Sequence, residues 1–184
     1  MPAKKQITRD MILSAAIELL RRGGIDAVNI KALAAELGCS TQPVYLSFSG
    51  KDELRRALIP EAVRYFAARL EGGSGAPARL YEMPYIMFAL EESELFKFLF
   101  MRKNAFSEVW EALSPITERA ISDLMLEYGI SHDDAHYFHD QLWMHAHGIA
   151  SMIATRFCDW DLDKIGSMLS DCRTYLGRRY SSND

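Results

Sequence analysis

Apolar residues recur through most of this 184-residue chain at intervals of three and four, the spacing of amphipathic helices. Ile12, Ala16, Leu19 and Leu20 form one such stripe, with Thr8 as its N-cap and Gly23-Gly24 as its end. Ile30, Leu33, Ala34 and Leu37 form a shorter one between a capping Asn29 and a stopping Gly38. Ser40 is the expected cap of a third helix, from Thr41 to about Ser47, with Pro43 in its first turn, where no N–H is needed. A fourth runs from Lys51 to about Glu71 and should kink at Pro60. Gly72-Gly73-Ser74-Gly75 is the clearest linker. Beyond it the pattern predicts helices over residues 78–90, 92–103 and 105–128, the last bent at Pro115 and closed by Gly129. Ser131 opens another, to about Phe157, and Asp161 opens the final one, to about Arg179, before a frayed tail. No strand ladder and no repeat interrupts this series, so the fold class is all-α.

Composition narrows the classes of function. A chain that is 49% hydrophobic and 25% charged is ordinary globular material of one or two domains, long enough to bury a core. No apolar run reaches the ~20 residues of a membrane span, and the first seven residues lack the apolar stretch of a signal peptide. Cys39, Cys158 and Cys172 are too few and too scattered for a disulfide framework, which points to a reducing cytoplasm. The net charge of −4 excludes a wholly basic coat, but the charge is uneven. Residues 1–56 carry nine Lys/Arg against six Asp/Glu, a net +3, and the rest of the chain is at −7. A front end that meets a polyanion would produce this asymmetry, as would ordinary solvated faces.

The front end has the spacing of a helix-turn-helix. Ala34 is small where a second helix crosses, and Gly38 supplies a positive φ in a tight turn. Leu33, Leu37 and Val44 knit the pair to the first helix and leave Thr41, Gln42, Pro43, Tyr45 and Ser47 outward. Such a helix fits the major groove, where glutamine can pair with adenine through two hydrogen bonds. A plain helical hairpin with a glycine turn would show the same bare spacing.

The neighbouring residues decide between these readings. Residues 8–54 resemble the N-terminal domain of the TetR family of bacterial transcription regulators: Ile12, Ala15 and Ala16 in the first helix, then Gly38-Cys39-Ser40, Val44-Tyr45, Phe48 and Lys51-Asp52-Glu53-Leu54, with no gap in spacing. Cys39, Pro43, Val44 and Ser47 depart mildly from the family pattern. The resemblance implies a DNA-binding domain over residues 5–65, with its helix-turn-helix at about 29–48, and a helical effector-binding and dimerisation domain over 72–180. It implies phosphate contacts from Tyr45 and Lys51, and it makes Lys31, Ser40 and Ser47 further DNA candidates. Thr41, Gln42 and Pro43 are the candidate base readers, and Lys4, Lys5 and Arg9 a candidate N-terminal arm.

The back half is similar to the subgroup with a Trp-x-x-x-His-Gly motif, here Trp143, His147 and Gly148. Ala146, Ala150 and Ala154 form a small-residue ridge that suits close helix packing, either within one chain or across a two-fold axis. Trp143, His147, Gly148, Ser151, Met168 and Cys172 are the expected dimer face. Tyr85, Phe88, Phe96, Phe100, Phe106, Trp110 and Trp143 are candidates to line an effector pocket, although an aromatic stripe is more often core. His132, His136 and His139 share a helix face at a metal-ligand spacing, but Asp133 and Asp134 make a solvated polar turn the plainer reading, and no metal or other cofactor is assigned. No nucleophile–base pair, phosphate loop or paired-carboxylate signature suggests an enzyme. The expected function is a cytoplasmic, ligand-responsive repressor that binds a palindromic double-stranded DNA operator as a homodimer. The alternative is a helical small-molecule binding or adaptor protein with a vestigial helix-turn-helix.

Overall fold

A computed structural model describes residues 6–72, 82–103 and 106–181, and every regular element among them is helical. The helices are α1 (Arg9–Ala27), α2 (Ile30–Leu37), α3 (Gln42–Ser47), α4 (Lys51–Gly72), α5 (Glu82–Glu91), α6 (Ser93–Phe100), α7 (Phe106–Tyr128), α8 (His132–Ala154) and α9 (Leu162–Ser181). Local chemistry sets most of their ends. The Thr8 hydroxyl accepts from the Met11 amide, Asn29 from Ala32, Ser131 from Asp134 and Asp161 from Lys164, each satisfying a donor of a first turn. Gly38 ends α2 in the left-handed conformation, with the amide of Cys39 reaching back to the Ala34 carbonyl at 2.9 Å. Gly23 and Gly24 break the regular geometry of α1, and Gly24 takes φ +71. A Cβ on Gly24 would lie 2.6 Å from a Glu94 carboxylate oxygen, so the position requires glycine for space as well as for conformation. Pro60 and Pro115 both sit inside continuous helices, and the start expected for α5 near residue 78 lies outside the described residues.

The chain divides into two compact units. The first holds the residues up to Tyr65 together with Glu94–Ala112, so α6 and the start of α7 join the front end, beyond the boundary the sequence suggests. Its core includes Ile12, Leu20, Leu33, Val44, Phe48, Leu54 and Leu58. Val44 of α3 and Phe48, the residue just past its end, are both buried and turn that side of the helix inward. Polar contacts fasten the far end of that helix. The Arg9 guanidinium donates to the Ser47 carbonyl at 2.6 Å, pairs with Glu53 at 3.2 Å, and lies 4.1 Å from the centre of the Phe48 ring. Glu53 in turn accepts from the Ser49 amide at 2.7 Å and the Ser49 hydroxyl at 2.8 Å. Arg9 is therefore a clamp on α3, engaged within the fold where the sequence suggested a free arm, while Lys4 and Lys5 lie outside the described residues.

The cap of α3 also differs from expectation. Thr41, rather than Ser40, holds the N-cap position, and its side chain makes no capping bond. Pro43 removes one of the amide donors that a cap would have satisfied.

The second unit holds Phe66–Ser93 and Leu113–Asp184. Here α5 packs against α8 and α9. Ile121, Leu124, Ala135, Phe138 and Leu142 form a core onto which Cys172, Leu176 and Tyr180 fold. An ion-pair bridge crosses this unit: Arg173 of α9 reaches Glu82 of α5 at 2.8 Å and Glu127 of α7 at 2.7 Å. Glu82 is almost wholly buried, and one of its oxygens has no hydrogen-bond partner among the described residues. Burial pushes its carboxyl pKa up, against the pull of Arg173.

Two expected outcomes follow from these polar contacts. The hydrogen bonds from the Ser49 amide and hydroxyl, then that from Arg9, hold the Glu53 carboxyl down at about 2. The unfolded chain, with an ordinary carboxylate near ~4.3, takes up this proton first as the pH falls. The Glu53 contribution to stability is thus complete above that value and lost on descent toward pH 2. Thermal unfolding of Glu53→Gln should show a smaller fall in midpoint between pH 5 and pH 2.5 than the parent protein, and identical falls would refute the contribution. Arg173→Met should cost about 3 kcal/mol in denaturant unfolding because it strands two carboxylates, one of them buried. Glu82→Gln, which leaves Arg173 paired with Glu127, should cost only about 1 kcal/mol.

Candidate nucleic-acid interface

With Val44 and Phe48 turned inward, the helical period of α3 sends Gln42, Tyr45 and Leu46 outward. Gln42 is exposed, Tyr45 is 61% exposed and Leu46 is 80% exposed. Thr41 and Pro43, the other candidate base readers, are half-buried at the flank of this face. Ser40 is exposed in the turn before α3. Lys31, in the first turn of α2, and Lys51, the first residue of α4, are exposed cations in the same unit. Each stands near a helix N-terminus, where free backbone amides also favour an anion. The combination offers one outward amide side chain, one phenol and two ammonium groups.

Ser47 does not share this face. It is half-buried, its hydroxyl donates to the Pro43 carbonyl at 2.9 Å, and its own carbonyl receives Arg9. A residue five positions beyond Gln42 has rotated most of the way back to the core, which turns Ser47 from an outward contact into a brace. Leu46 is the residue missed in the sequence, because an apolar residue at helical spacing reads as core. Its neighbours carry the signal: if Val44 and Phe48 point in, Leu46 points out.

The residues expected to form an effector pocket separate between the units. Phe96, Phe100 and Trp110 belong to the first, where Phe96 is fully buried and its ring lies 5.2 Å from that of Phe100. The Phe106 side chain lies outside the described residues. Tyr85, Phe88 and Trp143 belong to the second unit. Tyr85 and Phe88 are buried and pack edge-on to Phe66, at 5.8 and 5.0 Å between ring centres. The open groove of about 730 Å³ along α5 and α9 is lined instead by Met83, Met87, Leu162, Gly166, Ser167 and Ser170, with Asp163 and Asp171 at its edge.

Three residues of the expected dimer face, Trp143, His147 and Ser151, are half-buried and also make contacts within the second unit. The Tyr85 hydroxyl lies 2.9 Å from His147 Nδ1, and His147 Nε2 lies 3.3 Å from the Ser151 hydroxyl. Trp143 stacks obliquely on the imidazole at 5.3 Å. Burial keeps the phenol protonated and lowers the His147 pKa, so the ring is neutral. The neutral ring carries one proton, so one of its nitrogens donates and the other accepts between the Tyr85 and Ser151 hydroxyls. Cys172 packs on the Ile121 cluster, and Met168 is half-buried. Gly148 alone of the six is exposed, with open space where a Cβ would stand. The alanine ridge is covered by the chain itself: Ala146, Ala150 and Ala154 are all buried.

His132 pairs with Glu118 at 3.5 Å and His136 with Asp140 at 3.3 Å, while His139 is buried. Among the described residues no three His, Cys, Asp or Glu side chains gather as a metal site. No described helix is long and apolar enough to cross a membrane.

Comparison with known proteins agrees with the placement of these elements. Residues 12–58 match the model of the bacterial regulatory proteins of the tetR family. The HTH-type nicotine-responsive transcriptional repressor HdnoR of Paenarthrobacter nicotinovorans is 27% identical over 85 residues, a stretch that spans 44% of this chain and 44% of that protein. A putative TetR-family transcriptional regulator from Vibrio parahaemolyticus superposes with a TM-score of 0.65 at 18% identity, over 90% of this chain and 96% of the other. A TetR variant from Acinetobacter baumannii AYE, solved in complex with minocycline, superposes with a TM-score of 0.62 at 17% identity, over 96% and 100%. At these identities the superpositions show a shared fold. Residues 12–58 are therefore similar to the helix-turn-helix domain of the tetR-family regulators, in a chain that has the TetR-like all-helical fold along nearly its whole length.

Proposed function

We propose that this protein is a ligand-responsive transcriptional repressor that binds a palindromic operator as a homodimer in the bacterial cytoplasm. The observation that carries the reading is the outward face of α3, with Gln42 and Tyr45 exposed and Lys31 and Lys51 at helix starts in the same unit. Phosphate contacts from Tyr45 and the two lysines supply affinity and its salt dependence, and Gln42 supplies selectivity through an adenine edge. Thr41 and Pro43 flank that edge, and Ser40 is a further phosphate contact.

A second copy of the chain suits the surface of α8 and α9. Tyr137, Met144 and Gly148 follow one another along one side of α8, each exposed, and Tyr175 of α9 is 69% exposed. Arg179 lies over the Tyr137 ring at 5.2 Å, which ties the two helices together at this strip. A dimer that reads a palindrome has its half-sites about one DNA turn, ~34 Å, apart. An effector would favour a dimer in which that spacing is lost. The repressor HdnoR responds to nicotine and the Acinetobacter protein holds minocycline, which supports a small organic molecule as the effector class here.

The test is selection of double-stranded DNA from a random pool on the purified protein at two salt concentrations. Enrichment of a short palindrome, weakened by added salt, is the expected result. Enrichment of nothing at either salt, with and without an extract of small metabolites, would favour a binding protein whose helix-turn-helix is vestigial. On the enriched DNA, Tyr45→Phe should lose about fivefold in affinity per half-site, the worth of one hydrogen bond in each protomer. Lys51→Ala should weaken all sequences alike and reduce the salt slope by about two, one contact in each half-site. Both variants should keep the oligomeric state of the parent, measured by light scattering. Unchanged affinity in both would remove these residues from the interface.

A further inference from the structure

We infer that Leu46 is a specificity-determining residue that reads the 5-methyl group of a thymine. The inference rests on the DNA-binding reading above and adds to it the chemistry of one contact. Leu46 is 80% exposed on a short helix whose inward side is held by Val44 and, at its C-cap, by Phe48. Exposure alone decides nothing, since Leu126 is 85% exposed on α7 and single apolar residues are common on surfaces. What distinguishes Leu46 is its company: it stands one helical turn from Gln42 and beside Tyr45, on the outward side of α3.

A leucine can neither donate nor accept a hydrogen bond. Against most of the major groove it would cover base-edge donors and acceptors without satisfying them, which is unfavourable. The thymine methyl is the apolar group of the major groove and the one feature there that a leucine side chain complements. The geometry also limits where this thymine can be. Gln42 and Leu46 are four residues apart, a rise of about 6 Å along α3, and base pairs stack every ~3.4 Å. The thymine read by Leu46 therefore lies within about two base pairs of the adenine read by Gln42, once in each half-site.

The experiment uses the palindrome enriched by the unaltered protein, synthesised with deoxyuridine in place of thymine at one position of each half-site at a time. Deoxyuridine keeps every hydrogen-bonding group and removes only the methyl. The parent protein should lose about fourfold in affinity per half-site at one position, the worth of burying one methyl-sized group. Leu46→Ala should bind the thymine duplex correspondingly more weakly and should be indifferent to deoxyuridine at that same position. Its thermal midpoint should match the parent, because the side chain lies in solvent. A parent protein insensitive to every thymine methyl would overturn the inference while leaving DNA binding intact. So would equal methyl sensitivity in parent and variant, which would assign the contact to another residue. Failure of the parent to enrich any DNA would overturn the DNA-binding reading and this one with it.

Discussion

A six-residue helix cannot support itself: nucleation is unfavourable and too few hydrogen bonds follow to repay it. α3 exists because the rest of the first unit holds it, and every functional statement about the front end depends on that. Val44 and Phe48 anchor one side in the core, the left-handed Gly38 sets the angle of approach, and Arg9 grips the C-terminal carbonyl. The outcome is a short helix with no freedom to turn, so that Gln42, Tyr45 and Leu46 face outward in a fixed order. Recognition of base edges needs this rigidity, since a contact displaced by an ångström loses its partner. The clamp also explains why a cation near the start of the chain is held within the domain. Arg9 satisfies a helix-end acceptor, stacks on an aromatic ring and joins Glu53, which in turn holds Ser49 just before the next helix.

The second unit solves a different problem with similar means. Its helices are long enough to persist, and polar groups within it select one packing among several apolar ones. The Tyr85–His147–Ser151 chain links α5 to α8, and the Glu82–Arg173–Glu127 bridge links α5, α9 and α7. Both are expensive, because Glu82 and Tyr85 are buried and their neutral forms are favoured, and both are specific for that reason. The alanine ridge is likewise buried within the unit, while Tyr137, Met144, Gly148 and Tyr175 stand exposed on α8 and α9.

Local features were legible in the sequence and tertiary ones were not. The caps at Thr8, Asn29, Ser131 and Asp161, the turn at Gly38 and the break at Gly23-Gly24 depend on a few adjacent residues, and each stands where its chemistry places it. The helix-turn-helix was legible because its residues are spaced by one continuous stretch of backbone. Arg9 was misread because its partners, Ser47 and Glu53, are 38 and 44 residues away. Ser47 was misread because a short helix makes inside and outside differ by a single position. The alanine ridge and the aromatic stripe showed that something packs there, without showing whether the partner is the same chain, another copy or a ligand. The aromatic stripe divides between two units, and the ridge is covered from within. Leu46 is a different case: nothing in its own residue type marks it as outward, and the helix orientation shows that it faces solvent.

The central claim is that α3 and the starts of α2 and α4 form the surface that meets DNA. Amide hydrogen exchange of the full chain, with and without the palindrome it enriches, tests this most directly. The account predicts that DNA slows exchange over residues 30–34 and 40–54 and leaves the α8–α9 strip unchanged. Protection confined to the second unit, or none at all in a saturated complex, would contradict it.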